Sequence, residues 1–461
     1  MECRMGQAWA RWSVLEGTWP HRFAPDLAPL RCARRVVFPL LWKPGCLDQP
    51  SGMKDFELYQ QILGLVEPWR VESVSLKPQE REIEVRVGFA DTHWGCPQCQ
   101  QRMQIHDYEE RRWRHLDSCQ FKTIIVSRVP SVRCPEHGSQ TVAVPWAGKY
   151  ARFSRLFERL AMDVMLECST TGACSILGIS WDEADGIKQR AVKRGLACKV
   201  PAVMARLGVD EKGMGRGQDY LTIVAQVTEQ QTRVEYVGEE RNPASLDAFW
   251  EALTAEQLAG VEAVAMDMWE PYVRSTLAHL PGAASKIVHD PFHLVKYMNE
   301  AVNEVRKIEH RRWQAQGDDS LKSTRQLWLY GIENLPAKHA QRFAEVKKLN
   351  LQTSRAWAIK EAFRSFWLCP GAEPAEEYFG KWYAWAIRSR LAPIKKVARM
   401  CQAHLRNILT FFVHHLTNGP IEGLNNKIQG LIKKAFGYRN KERFKSDIFF
   451  HLGGLDLYPA Q

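Results

Sequence analysis

The chain has 461 residues, with 25% charged and 45% hydrophobic side chains and a formal net charge of +11 at pH 7. This length allows two to four domains with sizeable cores, and the composition is typical of a soluble globular protein. The sequence has no apolar stretch of the roughly 18 residues that a membrane span requires, and its basic excess favours a polyanionic partner.

Residues 1–52 differ from the rest of the chain. They are rich in Arg, Trp and Pro and lack apolar periodicity, whereas a clean helical pattern opens at Met53. We interpret them as a disordered or non-native upstream extension. An Arg-rich DNA-binding arm is the alternative interpretation.

Residues 53–150 predict a small, β-rich, zinc-binding N-terminal domain. We expect a short helix at about 54–65, followed by strands at 70–76, 82–87 and 121–129. In the first two strands apolar and polar residues alternate with a period of two, as in half-buried strands, and residues 121–129 are a third β-like run.

Most of the 12 cysteines are scattered singly, and no signal peptide is recognisable, so we expect a reducing cytoplasm rather than a disulfide framework. Two doublets are the exception. Cys96 and Cys99 form a CxxC pair, and Cys134 and His137 form a CxxH pair. Together they offer the four ligands of a tetrahedral structural zinc site, although their separation is longer than the usual finger spacing. Four unligated turn residues are the alternative, and possible substitute ligands between the doublets are His106, His115 and Cys119.

Between the two doublets, Arg112 and Arg114 flank Trp113. Cations mixed with an aromatic ring suit contact with a phosphate backbone. A solvated basic strand would have the same pattern.

Residues 151–200 predict a helix-turn-helix domain. A short helix over 171–177 is followed by a glycine turn at Gly178 and by a capping box from Ser180 to Glu183 that begins another helix. That helix could enter a major groove, and a helical hairpin that packs without DNA is the alternative. The candidate DNA-binding residues on it are Lys188, Arg190, Lys193 and Arg194.

Residues 201–290 predict the first part of a ribonuclease-H-like catalytic core with a mixed sheet. Two apolar runs end at Asp210 and Asp267, and three consecutive strands precede an alternation of helices and strands. In that topology the first and fourth strands are neighbours, so the two carboxylates should converge. An Asp that closes a strand is also often a turn residue or a helix cap. The fifth strand ends at His289 and Asp290, for which a direct ligand role is the less favoured interpretation.

Residues 291–415 predict a large helical insertion, and residues 416–461 a catalytic-core helix with a basic C-terminal segment. Glu422 lies on the polar side of that helix, away from an apolar stripe. The basic segment could grip phosphates, or it could be a solvated helix end. Its candidate DNA-binding residues are Lys433, Lys434 and Arg439.

Asp210, Asp267 and Glu422 together supply the oxygen ligands that a pair of Mg²⁺ ions needs, with Mn²⁺ as a substitute. Two such ions can clamp both oxygens of an in-line displacement at phosphorus. One ion would activate a water, and later a 3′-hydroxyl, while the other would stabilise the leaving oxygen. No covalent protein–DNA intermediate is then required.

These motifs, in this order, resemble bacterial insertion-sequence transposases of the ISL-three type, from about residue 53 to the C-terminus. The resemblance is carried by the residues 96–99, 112–117, 134–137, 180–186, 208–212, 266–269, 289–293 and 421–425. It implies a zinc-binding N-terminal domain, a helix-turn-helix and a DDE core, with Asp210, Asp267 and Glu422 as catalytic triad. It also implies Cys96, Cys99, Cys134 and His137 as zinc ligands. An extension like residues 1–52 is not typical of the family.

We therefore expect a DDE transposase that binds the terminal inverted repeats of its element and catalyses metal-dependent strand cleavage and strand transfer. Its partners would be double-stranded DNA, as element ends and target, and further copies of itself in a synaptic complex, in the nucleoid region of a bacterial cytoplasm. A catalytically silent, transposase-derived DNA-binding regulator is the main alternative, and a ribonuclease-H-like nuclease without strand transfer is the second.

Overall fold

The computed structural model describes residues 55–214, 220–349 and 351–459. The prediction for residues 1–52 therefore lies outside the described residues. The described chain divides into two compact units, one of residues 55–199 with 455–459 and one of residues 200–454. None of the described helices combines the length and the apolar composition needed to cross a bilayer.

The unit of residues 55–199 begins with helix α1, Asp55–Ile62, and a six-stranded sheet. The strands are β1 (Trp69–Lys77), β2 (Glu82–Phe89), β3 (His93–Gly95), β4 (Arg102–Arg114), β5 (Lys122–Cys134) and β6 (Gly138–Thr141). Their order is β1-β2-β5-β4-β3, and β6 pairs with β5. Val85, Trp113 and Ile125 are among the buried residues of its core.

Most of strand β4 was not expected from the sequence, which offered a strand only for the basic residues around Trp113 and only as an alternative. Its residues are mostly charged or polar and give no alternation of apolar side chains. Its backbone pairs antiparallel with β5 along most of its length, so the strand is specified by its neighbour. Residues 112–114, including Arg112 and Arg114, lie at its end.

Three helices follow: α2 (Arg155–Glu167), α3 (Thr170–Leu177) and α4 (Trp181–Ala197). The turn between α3 and α4 has the predicted chemistry. Gly178 adopts a left-handed conformation with a φ of 63°, and Ser180 and Glu183 form both hydrogen bonds of a capping box. The last described residues pack on the same helices, since Tyr458 Oη donates to Asp163 Oδ1 at 2.5 Å.

The unit of residues 200–454 contains a five-stranded sheet of order β11-β10-β7-β8-β9. Its strands are β7 (Arg206–Gly213), β8 (Tyr220–Val227), β9 (Thr232–Gly238), β10 (Ala263–Met266) and β11 (Ile287–His289). Strands β7, β8 and β9 are successively antiparallel, whereas β10 is parallel to both β7 and β11. The first and fourth strands of this unit are thus neighbours, as expected.

Helices cover both faces of this sheet. Two hydrophobic clusters surround it, one with Leu246, Trp250 and Tyr272 and the other with Ile421 and Phe444. The first cluster involves α5 (Pro243–Glu251) and α7 (Glu270–His279), with α6 (Ala255–Gly260) between them in sequence. The second involves α16 (Gly419–Lys434) and α17 (Lys441–Leu452).

The segment between β11 and α16 has only helices among its described residues, as the sequence predicts. They are α8 (Pro291–Gln314), α9 (Arg325–Leu329), α10 (Ala337–Lys347), α11 (Gln352–Phe366), α12 (Ala372–Arg388), α13 (Ala392–Ala403), α14 (Leu405–Leu409) and α15 (Phe411–His414). A short 3-10 turn lies among them at Ile332–Asn334, and another, at Ala283–Ser285, precedes β11. The buried core of this segment contains several large aromatic residues, among them Trp328, Phe363, Phe366 and Trp382.

Candidate functional site

Asp210 and Asp267 lie side by side because of strand register. Met266, the last residue of β10, pairs with Val209 of β7, so the next residues of the two strands are neighbours at the same edge of the sheet. Both carboxylates line one pocket. One expectation is corrected: β7 does not end at Asp210 but continues to Gly213, because residues 211–213 still pair with β8 after the parallel partner β10 has ended.

Asp210 is held by partners from two directions. Its Oδ1 accepts a hydrogen bond from the Glu211 backbone N–H at 2.8 Å, and its Oδ2 accepts one from Asn425 Nδ2 at 2.7 Å. Burial raises the pKa of Asp210, and the charge of Asp267 acts in the same direction. A carboxylate placed in this environment is stabilised by an added cation.

Asp267 is held mainly from α8. Tyr297 Oη donates to Asp267 Oδ2 at 3.2 Å, and His293 Nδ1, one turn earlier on the helix, lies 3.9 Å from the same oxygen. Burial, and then the charge of Asp267, raise the pKa of Tyr297 to about 12, so this hydroxyl remains a donor at neutral pH. Asp267 Oδ1 also accepts from the Met268 backbone N–H at 2.7 Å.

The helix that carries Glu422 packs directly on the strand that carries Asp210. A Cβ atom built on Gly208 would lie 2.4 Å from Ile421 Cγ1, so glycine at this position permits the close approach. Glu422 lies one turn before Asn425, which contacts Asp210. Glu422 is not one of the described residues that line the pocket of Asp210 and Asp267.

His289 and Asp290 lie beside this site but are buried. Burial lowers the pKa of His289 to about 4 and raises the pKa of Asp290 to about 6, where the charge of Glu422 acts in the same direction. His289 Nδ1 is 3.2 Å from the Met266 carbonyl oxygen. His289 thus contacts the end of β10 from β11, and Asp290 is the residue that precedes α8.

Arg241 and Tyr297 were not recognised from the sequence as site residues. Arg241 forms an ion pair with Glu211 and lies over the ring of Trp269, at 4.5 Å from the ring centroid. No motif marks Arg241, whereas the spacing of Tyr297 four residues after His293 could have indicated a shared helix face. Burial raises the pKa of Glu211, and the Arg241 guanidinium opposes this effect.

The second candidate site is the cluster of Cys96, Cys99, Cys134 and His137. In the described residues it is the only set of three or more Cys, His, Asp or Glu side chains whose ligand atoms all lie within 4.8 Å of one another. Cys99 Sγ is 3.7 Å from Cys134 Sγ, and Cys134 Sγ is 3.4 Å from His137 Nδ1. Tetrahedral zinc bonds imply edges of about 3.8 Å between two sulfurs and about 3.5 Å between sulfur and nitrogen, so the cluster fits zinc.

Backbone N–H groups in this cluster favour the thiolate form of Cys96, which is the form that binds a metal cation. The backbone N–H groups of Cys99 and Gln98 lower the pKa of Cys96 to about 7. The suggested substitute ligands do not belong to the cluster. His115 is buried 2.8 Å from Ser154 Oγ, while Cys119 is an exposed free thiol.

The candidate DNA-binding cations fall into two groups. Several are engaged within the chain: Arg112 pairs with Glu82 and Glu84, Arg114 with Asp117, Arg190 with Glu158, and Arg194 donates to the Leu457 carbonyl. Lys188 does not lie on an open basic face as interpreted, because the residue is 3% exposed and its Nζ lies 3.3 Å from Thr170 Oγ1. Arg112 and Arg190 remain exposed despite these ion pairs, and Lys193, Lys433, Lys434 and Arg439 are exposed as well.

Three family models match successive parts of the chain. One described as a zinc-finger of the transposases IS204, IS1001, IS1096 and IS1165 matches residues 92–137, and one described as the helix-turn-helix domain of transposase family ISL3 matches residues 142–192. The third, a DDE domain of the ISL3 type described as a transposase, matches residues 207–448. This last match covers more than half of the chain.

Two relatives show the same extent of similarity. The transposase for insertion sequence element IS1557 of Mycobacterium tuberculosis is 26% identical over 422 residues, covering 85% of this chain and 94% of the relative. The transposase for insertion sequence element IS1001 of Bordetella parapertussis is 26% identical over 385 residues, covering 82% of this chain and 91% of the relative.

Proposed function

The chain belongs to the ISL3 family of transposases, and we propose that it cleaves and joins DNA strands at Asp210, Asp267 and Glu422 with two bound Mg²⁺ ions. The observation that carries this proposal is the pairing of Met266 with Val209, which sets the first two carboxylates next to each other in one pocket. The strand order and directions around them support a ribonuclease-H-like core.

The chemistry of the donor set fits Mg²⁺ or Mn²⁺. The proposed ligands are carboxylate oxygens, which hard divalent cations prefer, and burial of Asp210 beside Asp267 favours a cation between them. Bound ions would supply a Lewis-acid clamp on the attacking and leaving oxygens of the phosphodiester. Asp210 and Asp267 would hold them from the sheet, and Glu422 from the helix.

The surrounding residues would keep the carboxylates in place. Asn425 fixes one oxygen of Asp210, and Lys212 Nζ in turn donates to the Asn425 carbonyl at 3.0 Å. Tyr297 fixes Asp267 from α8. Such orientation matters because small misplacements of a ligand or nucleophile slow a positioned reaction considerably.

DNA recognition would come from the other unit. Helix α4 has the capping box and glycine turn of a helix-turn-helix, and Arg190 and Lys193 are its exposed candidates for phosphate contact. We propose that this helix recognises the terminal inverted repeats of the element. The zinc cluster would be structural, because four protein ligands close a tetrahedral site and leave no open position for substrate. Bringing two element ends together would require more than one copy of the chain.

A catalytically silent DNA-binding regulator is the competing proposal. It is disfavoured because all three acidic residues are present and two of them share a pocket. To distinguish a transposase from a silent regulator, the purified chain is incubated with Mg²⁺ and a duplex bearing the inverted repeat that flanks its gene. We expect wild type to nick the repeat end and Asp267→Ala to bind the same duplex without nicking it. Equal nicking by both proteins would refute the catalytic assignment, and absence of nicking by wild type would favour the regulator.

A further inference from the structure

Phe436 is the most exposed large apolar side chain among the described residues, with 99% of its surface accessible. It lies in the turn between α16 and α17, directly after the helix that carries Glu422. Its ring buries nothing within the unit, so it adds no hydrophobic stabilisation to the fold.

The backbone of the turn holds this ring outward at an energetic cost. Phe436 has a φ of 54°, a left-handed conformation that usually belongs to glycine at the end of a helix. The next residue closes the helix end, because the Gly437 N–H donates to the Ile432 carbonyl at 2.9 Å. A strained, exposed aromatic residue at this position therefore requires an explanation outside the fold.

The turn is anchored on its far side. The Tyr438 ring packs on Phe444 with 4.5 Å between centroids, and Tyr438 Oη donates to Asp447 Oδ2 at 2.7 Å. Asn440 then caps α17 by accepting from the Arg443 N–H. With both ends fixed, Phe436 is presented in a defined position instead of on a loosely attached loop.

The charged residues near Phe436 in the sequence indicate which kind of partner its ring contacts. Lys433 and Arg439 are exposed on either side of Phe436 in sequence. An apolar protein partner would cover the ring at the cost of desolvating these cations, whereas DNA offers an aromatic face flanked by phosphates. Aromatic rings in basic surroundings are a general means of stacking on nucleobases.

We propose that Phe436 stacks on an unstacked nucleobase of the DNA bound by this unit, while Lys433 and Arg439 contact the flanking phosphates. This inference rests on the proposed function, since it assumes that DNA reaches the site of Glu422. From Glu422 to Phe436 the helix spans about 21 Å at 1.5 Å per residue. At about 3.4 Å per nucleotide, the stacked base lies within roughly six nucleotides of the cleaved phosphate.

The test compares two fluorescein-labelled duplexes that carry the repeat end, one fully paired and one with a single unpaired base five nucleotides from the cleavage position. Affinities are measured by anisotropy with the full chain and without Mg²⁺, so that binding is read separately from cleavage. We expect wild type to favour the unpaired-base duplex by about fivefold or more, which is the order of one base–aromatic stacking contact.

Phe436→Ala should lose this preference while keeping its affinity for the paired duplex, and Phe436→Trp should keep the preference. Phe436→Gly is a fold control, because glycine relieves the left-handed conformation and should lose the preference without loss of thermal stability. Lys433→Ala should weaken binding of both duplexes equally.

An unchanged preference in Phe436→Ala would overturn the proposal. If Phe436→Ala keeps the preference but loses self-association, measured by sedimentation, the proposal is also overturned. The ring would then contact a second copy of the chain. Failure of Mg²⁺-dependent nicking by wild type would instead count against the proposed function, since the affinity comparison does not depend on it.

Discussion

Asn425 Nδ2 donates a hydrogen bond of 2.7 Å to Asp210 Oδ2, although the two residues are 215 positions apart in the chain. This contact joins the polar side of α16 to the edge of the sheet where Asp267 also lies. Because Glu422 precedes Asn425 by one helical turn, the contact would set the direction from which Glu422 reaches the two aspartates in the proposed site.

Removing this contact should reduce cleavage more than binding. In Asn425→Ala we expect nicking of repeat-end DNA to fall by about 10- to 100-fold, the range for loss of one hydrogen bond to a charged group. Affinity for the duplex should be unchanged. Asn426→Ala, at the exposed neighbouring position, is the control and should nick at the wild-type rate. Equal rates for both variants would show that Asn425 does not position Asp210.

Glycine at position 208 should be required for the packing of α16 on β7. In Gly208→Ala the added Cβ meets Ile421, so we expect the free energy of unfolding to fall by about 1–3 kcal/mol, as in other overpacked cores. Gly430→Ala is the matched control. No atom lies within 4 Å of a Cβ there, and α16 should gain up to about 1 kcal/mol.

The rescue variant for this prediction is Gly208→Ala combined with Ile421→Ala, which removes both the Cγ1 and the Cδ1 atoms that the added Cβ would meet. Urea unfolding monitored by circular dichroism measures all four proteins. A stability of Gly208→Ala equal to that of wild type would show that the helix can shift without cost.

Loss of one cysteine ligand should abolish zinc binding. We expect about one zinc per chain in wild type and nearly none in Cys134→Ser, measured by mass spectrometry of the dialysed protein. Because the metal bonds hold β3, β4, β5 and β6 at one end, amide exchange of residues 92–137 should accelerate. Cys119→Ser removes an exposed thiol outside the cluster and should keep its zinc. Full zinc content in Cys134→Ser would contradict the assignment.

The unit of residues 55–199 should become less stable in mild acid because of His115. Burial lowers the pKa of His115 from 6.5 to about 4, so the folded unit keeps a neutral imidazole while the unfolded chain binds a proton below pH 6.5. The stabilisation is therefore complete above pH 6.5 and is lost as the pH falls to about 4, by about 3 kcal/mol in total.

Hydrogen exchange of the amides in β4 and β5, corrected for intrinsic rates, measures this loss between pH 7 and pH 4. His115→Gln keeps a polar partner for Ser154 and should flatten the pH dependence, whereas His93→Gln, at an exposed position, should not. A steep dependence that persists in His115→Gln would assign the effect to other groups.

The parts of the fold that follow from local patterns could be predicted from the sequence. The apolar runs before Asp210 and Asp267 marked neighbouring strands, and Ser180 with Glu183 marked the start of α4. The buried Ile421 and Leu424 likewise marked the inner side of α16. In each case the side-chain pattern and the backbone hydrogen bonds of the element involve the same few consecutive residues.

The remainder depends on contacts between distant residues. Strand β4 has few apolar residues and is defined by its pairing with β5. Lys188 seemed to belong to a basic helix face, but α3 covers its side chain. Tyr297 and Arg241 enter the pocket from separate elements, and no spacing along the sequence relates them to Asp210.

We propose that Glu422 completes the catalytic set with the two aspartates. Mg²⁺-dependent nicking of repeat-end DNA is therefore measured for Glu422→Gln, which keeps the size of the side chain and removes its charge, beside Glu442→Gln on the exposed start of α17. We expect Glu422→Gln to bind the duplex normally and to nick it at least about 100-fold more slowly, because a metal ligand has been lost, while Glu442→Gln keeps the wild-type rate. Nicking by Glu422→Gln at the wild-type rate would exclude Glu422 from the catalytic set.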